Sequence, residues 1–166
     1  MSANERSPAH YIAHYQHWDL VIAIPMSYLA GCSTKYVCRW RNKDGLNDLH
    51  KALHYLDKMI ETYIPVPIPR TMSRSEIQYE VSRFSAANHL SVIEEEYILL
   101  LSNYRYEDDL QTARLILEDI IDLAKEQERI RSLEEQARLI KENLIAEPNR
   151  PGTPDDGGHH AISHDE

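Results

Sequence analysis

Lys35, Arg39 and Lys43 recur at every fourth position, a spacing that lines side chains along one face of a helix. Beyond the turn signal Asp44-Gly45, residues Asp48, Lys51, Ala52 and Tyr55 make a second polar stripe, set away from the leucines of the same segment. A helical hairpin folded about that turn brings residues whose numbers sum to about 90 to the same level. Arg39 then faces Lys51, Lys35 faces Tyr55, and Arg41 comes near Asp48. Three cations converging on one acid and one phenol exceed what a structural salt bridge needs, and a phosphate group would take up the excess. A solvated basic face accounts for the same residues without any ligand. The stretch between Asp19 and Asp44 holds no acidic residue, as a local anion site requires. Gly31, one turn before Lys35, would let a base approach the helix closely or would permit tight helix packing. His10 and Tyr11 can stack on a base or hydrogen-bond to it, with ordinary N-terminal packing as the alternative.

Other constellations depart from the signatures they approach. There is no GxxxxGK[ST] phosphate loop. The pairs His10/His14 and His50/His54 have helical metal-ligand spacing, but neither has the Glu of HExxH or an evident third ligand. Glu94, Glu95 and Glu96 with Glu118, Asp119 and Asp122 resemble the glutamate pairs by which all-α nucleotide pyrophosphohydrolases hold magnesium. The Glu-Glu-x-x-Glu and Glu-x-x-Asp spacing is missing, and a solvated helix face is the better reading. His159, His160 and His164 fall in a tail poor in apolar residues, read as disordered. Cys32 and Cys38 form no CxxC motif or disulfide scaffold. No metal site is assigned.

The elements that must position these residues read as helices. The 166 residues are 42% hydrophobic with only 5 Gly, enough apolar matter for a core and too little Gly for a hairpin-rich β fold. Helices are predicted over about 14–24, 26–41, 46–63, 75–88, 92–104 and 107–146. Leu29, Ser33, Tyr36, Val37 and Trp40 mark the inner face of the second; Leu46, Leu49, Leu53, Leu56 and Ile60 mark that of the third. Ser73-x-x-Glu76 and Ser91-x-x-Glu94 have capping-box spacing. In the last helix Ile116, Leu123, Ile130, Ala137 and Leu144 recur every seven residues, with Leu133 and Ile140 between them. That is a coiled-coil seam over its second half, from which a homo-oligomer is expected. The fold class is all-α. Its divisions are a domain over 1–63, a Pro-rich linker over 64–72, an acidic helical region over 73–146 and the tail over 147–166.

Net charge is −9, divided unevenly: residues 1–70 carry 8 Lys and Arg against 6 Asp and Glu, and residues 71–166 carry 10 against 21. So acidic a chain does not track a long nucleic-acid duplex. No apolar run approaches a membrane span, and Met1 to Pro8 lack the apolar core of a secretory signal, so a cytoplasmic protein is expected.

Three fragments carry a resemblance. They are Pro8-Ala9-His10-Tyr11, then Gly31-Cys32-Ser33-Thr34-Lys35-Tyr36-Val37-Cys38-Arg39, then Asp48-Leu49-His50-Lys51-Ala52-Leu53-His54-Tyr55-Leu56. In order and with these gaps, about residues 8–62 resemble a small phage domain family that includes the P-loop-free nucleotide kinase of podophages. Where many members carry Gly-Asn this chain has Gly31-Cys32, and where Arg-Ala-Gly often follows it has Arg39-Trp40-Arg41. The resemblance implies a nucleotide ligand, accompanied by magnesium if the chain acts as a kinase. Lys35, Arg39 and Lys51 would bind the phosphates, with Asp48 orienting Arg41, also in the nucleotide site, or a substrate hydroxyl. Gly31, Tyr36, Tyr55, His10 and Tyr11 would line the nucleoside. Phosphoryl transfer on such a site would rest on Lys35, Arg39 and Asp48. Two other functions remain open: a non-catalytic sponge for a nucleotide or nucleotide-derived immune signal, and an oligomeric scaffold working through the acidic helices.

Overall fold

Each helix begins where a side chain or a backbone bend can satisfy its free N–H groups. The computed structural model describes residues 15–63 and 72–146, and among them the chain is all-α, with no strand. Helix α1 (His17–Ala23) starts with Asp19 Oδ2 accepting from Gln16 N at 2.8 Å. Ser27 Oγ accepts from Ala30 N at the start of α2 (Tyr28–Arg39). A single 3₁₀ turn, Trp40–Asn42, follows, and then α3 (Leu46–Glu61). Gly45 precedes α3 at φ 54, ψ −133, a conformation that a side chain would strain, so this turn depends on glycine. Both predicted capping boxes are present, Ser73 with Glu76 before α4 (Arg74–Asn88) and Ser91 with Glu94 before α5 (Val92–Asn103). Helix α6 (Glu107–Ala146) opens with Asp109 Oδ2 accepting from the Arg105 and Tyr106 amides.

Helix α2 ends two residues short of the expected Arg41. The backbone tightens instead, with the Lys43 and Gly45 amides both donating to the Trp40 carbonyl. Lys43 therefore leaves the α2 stripe.

Two compact units divide the chain, one ending at Glu128 and one starting at Arg129. In the first, α2 packs on α3 and α4 on α5, and the pairs are joined where α2 meets α5, with α1 against α4. Leu20, Val37, Leu49, Leu56, Val81, Phe84, Tyr97, Ile98, Leu110 and Leu117 are buried in one cluster, so helices on both sides of the Pro-rich segment share a core. Full burial of each large side chain is worth about 1.5–3 kcal/mol. In the first half of α6, Leu110, Ala113, Leu117, Ile121 and Ala124 are buried, while Leu115 and Leu123 are exposed. Leu123 belongs to the sevenfold series, so that series does not mark the buried face here. In the second unit, Ile130, Leu133, Leu139, Ile140 and Leu144 are exposed. Among the described residues no helix is long and apolar enough to cross a membrane.

Candidate functional site

Small residues let α2 and α3 approach closely. Ala30 and Ser33 on α2 and Ala52 on α3 are fully buried, and Ser33 Oγ donates to the Ala52 carbonyl at 2.7 Å. The Tyr97 hydroxyl reaches the same Ser33 oxygen from α5 at 2.5 Å, and burial raises its pKa. This contact corrects the expected faces. Asp48 and Ala52 belong to the buried side of α3 with Leu49, Leu56 and Met59, whereas Leu46, Leu53 and Ile60 are only partly buried.

Asp48 is therefore a buried carboxylate, and two cations answer it. Arg39 Nε donates to Oδ2 at 2.9 Å, and Lys51 Nζ donates to Oδ1 at 2.9 Å. Lys51 also donates to Asp44 Oδ2 at 2.8 Å. The Asp44 and Asp48 hydrogen bonds raise the Lys51 pKa, and the Lys51 bond lowers that of Asp44. Both cations lie over the Tyr36 ring, the Arg39 guanidinium carbon 4.6 Å and the Lys51 ammonium 5.6 Å from its centre. Tyr36 in turn stacks on Tyr55, with centres 5.8 Å apart and planes 18° from parallel. Tyr28 and His54 meet the Tyr55 ring edge-on.

Lys35 stands one turn before Arg39, half-buried, and no hydrogen bond or ion pair engages it among the described residues. Its charge is felt at His17. Burial, followed by Lys35 and Arg39, lowers the His17 pKa to about 4. The Thr34 hydroxyl donates to the Ala30 carbonyl and so accepts from His17 Nε2, at 2.9 Å. Two cations thus share two carboxylates, with Lys35 one turn away and aromatic rings beside them.

Two expected positions are corrected. Arg41 is not at Asp48: beyond the end of α2 the 3₁₀ turn directs it to Glu94, and its guanidinium lies over the Trp40 ring. Asp48, fully buried and bonded by both oxygens, cannot meet a substrate hydroxyl; it holds Arg39 and Lys51. Gly31 faces α1, where an added Cβ would meet the Val21 methyls at 3.6 and 3.9 Å, ordinary contact distances. His10, Tyr11 and His14 lie outside the described residues, as do 64–71 and the tail histidines.

The second buried carboxylate, Glu94, was expected as a cap and as part of an acidic cluster on a solvated face; it caps α5 but is fully buried. Its Oε2 accepts from the Ser91 amide and hydroxyl, and its Oε1 accepts from Trp40 Nε1 at 2.6 Å and from Arg41. A Trp on an inner helix face needs an acceptor for its N–H, but sequence does not say which. Tyr28 was also missed. Its signal was there, since Tyr28, Cys32 and Tyr36 follow at i, i+4, i+8.

Three of the remaining acids are engaged singly: Glu118 accepts from Arg114, Asp122 from Lys125 and Glu95 from Ser82. His50 and His54 are exposed, and among the described residues no three His, Cys, Asp or Glu side chains gather as a metal site. A separate cavity of about 310 Å³ is lined by Arg74, Leu100, Asn103, Arg105, Tyr106 and Asp109, away from the Asp48 cluster. No protein-family model, curated protein or solved structure matches the chain.

Proposed function

We propose that the α2–α3 corner is a nucleotide-binding site of the kind the phage resemblance implies, in a cytoplasmic protein. What supports this most is one arrangement: Arg39 and Lys51 fixed by the buried Asp48 beneath the Tyr36–Tyr55 stack, with Lys35 carrying positive charge one turn away. Phosphate oxygens meet Lys35 and Lys51, and Arg39 adds positive charge from beneath them. Tyr28, Tyr55 and His54 lie where a nucleoside base can stack, and His10 and Tyr11 belong to that side by the resemblance. Magnesium enters with the nucleotide's own phosphates, because Asp44 and Asp48 already accept from Lys51.

Phosphoryl transfer here would be positioning and charge neutralisation by the cations, with no side-chain base at Asp48. The closure of Asp48 specifically favours a second reading on the same site: a sponge that holds a nucleotide or nucleotide-derived signal without turning it over. Calorimetric titration with a panel of nucleoside mono- and triphosphates tests binding. Lys35→Ala is expected to weaken it by about 1.5–3 kcal/mol, the value of a charge-assisted bond. Incubating each monophosphate with a triphosphate and separating the products decides between kinase and sponge. Unchanged affinity in a folded Lys35→Ala/Lys51→Ala protein rules the site out.

A further inference from the structure

The second unit of the chain presents an apolar stripe spaced for another helix. Ile130, Leu133, Ala137, Ile140 and Leu144 follow at intervals of three, four, three and four, the a and d positions of a heptad. All are exposed; Leu133 retains 50% and Ile140 61% of its accessible surface. The ion pairs of Arg138 lie on another face. Arg138 pairs with Glu135 at 2.6 Å and reaches Glu142 at 3.9 Å, all at b and f positions. Glu134 and Lys141 are the e positions that flank the stripe, and no ion pair holds either among the described residues.

We propose that a second copy of this chain covers the stripe as a parallel, in-register two-stranded coiled coil. The charges at its edges select the partner. In a parallel pair, Arg129 at g faces Glu134 of the other copy at e, twice by symmetry, and Gln136 faces Lys141 without repulsion. An antiparallel pair centred on the stripe sets Glu134 against Glu134 and Leu144 against Glu126. The antiparallel register that matches Glu134 with Lys141 leaves Ile130 without an apolar partner. The parallel register alone matches all five apolar layers. Ile130 at a with Leu133 at d favours two strands, whereas Ile140 at d with Leu144 at a is the combination of larger assemblies, so a mass above that of a dimer also overturns the proposal. This inference is independent of the nucleotide reading.

Sedimentation equilibrium on the full chain tests it, beside Leu133→Asp/Ile140→Asp and a cysteine variant. Wild type is expected to be dimeric at concentrations on the order of tens of micromolar, and the double Asp variant monomeric, with the circular-dichroism melting midpoint of wild type diluted until it too is monomeric. Under mild oxidation Ile130→Cys should form a disulfide-linked dimer, in a Cys32→Ser/Cys38→Ser background that forms none by itself. A monomeric wild type overturns the proposal. So does a dimer that survives the double Asp substitution, or a dimer in which Ile130→Cys chains do not link.

Discussion

Two regions use polar and apolar groups in opposite ways. In the α2–α3 corner, charge is inside: Asp48 and Glu94 are wholly buried, answered by Arg39, Lys51, Trp40 and Arg41. Along 129–146, leucines and isoleucines are outside. Burying a charge without its partner costs far more than the pair contributes, so the corner's geometry is strongly determined and individual substitutions there are expensive. An exposed leucine has no such duty to its own fold. Substitution of the corner therefore confounds folding with binding, whereas substitution of the stripe reports on assembly alone.

The contrast breaks most sharply at Asp48. Asp48→Ala removes the buried carboxylate that Arg39 and Lys51 share and is expected to cost about 3–5 kcal/mol by urea unfolding. Arg39→Ala belongs to the same class, because it leaves Asp48 buried with Lys51 as its remaining cation. A loss in Asp48→Ala no larger than that of an exposed-pair substitution such as Lys58→Ala would show that Asp48 is hydrated.

Acid should weaken the corner through His17. Its folded pKa near 4 lies below its ordinary value of 6.5, so the unfolded chain takes up the proton first. Its contribution is complete above about pH 6.5, declines as pH falls towards 4, and amounts to roughly 3 kcal/mol. Unfolding curves across that window should show the loss, and His17→Gln should flatten it relative to wild type. A phosphate beside Lys35 and Arg39 offsets the charges that help to depress His17. Nucleotide should therefore raise the His17 pKa in an NMR titration. An unmoved His17 would place the ligand elsewhere.

The smallest effect belongs to the stripe. Leu133→Asp should change the stability of the dissociated chain by no more than about 0.5 kcal/mol, as surface substitutions do. A larger loss, measured by urea unfolding at dilutions where both proteins are monomeric, would mean that Leu133 packs within its own chain.

Fold class was legible because its signals are local. Capping boxes at Ser73 and Ser91, the Asp44-Gly45 turn and the leucine periodicity of α3 each depend on a few neighbouring residues. Facing was harder. Asp48 and Ala52 read as an outer stripe because Asp is usually solvated. Their burial follows from the close α2–α3 approach that Ala30, Ser33 and Ala52 permit, and periodicity does not encode that distance. Arg41 was misplaced because extending α2 by two residues rotates the last side chains by half a turn. Its real partner, Glu94, is 53 residues away. That Arg39 and Lys51 come level was readable from spacing, whereas the Arg39 bond to Asp48 and the Glu94 contact with Trp40 needed the fold.

The central claim is that the cations around Asp48 hold a nucleotide's phosphates. Calorimetric titration of wild type and Lys35→Ala with the best nucleotide of the panel tests it directly, since no described residue depends on Lys35 for a hydrogen bond or ion pair. The expected result is saturable binding by wild type, weakened about 10- to 150-fold in a variant with an unchanged melting midpoint. Equal affinities in the two proteins, or no heat with any nucleotide, would contradict it.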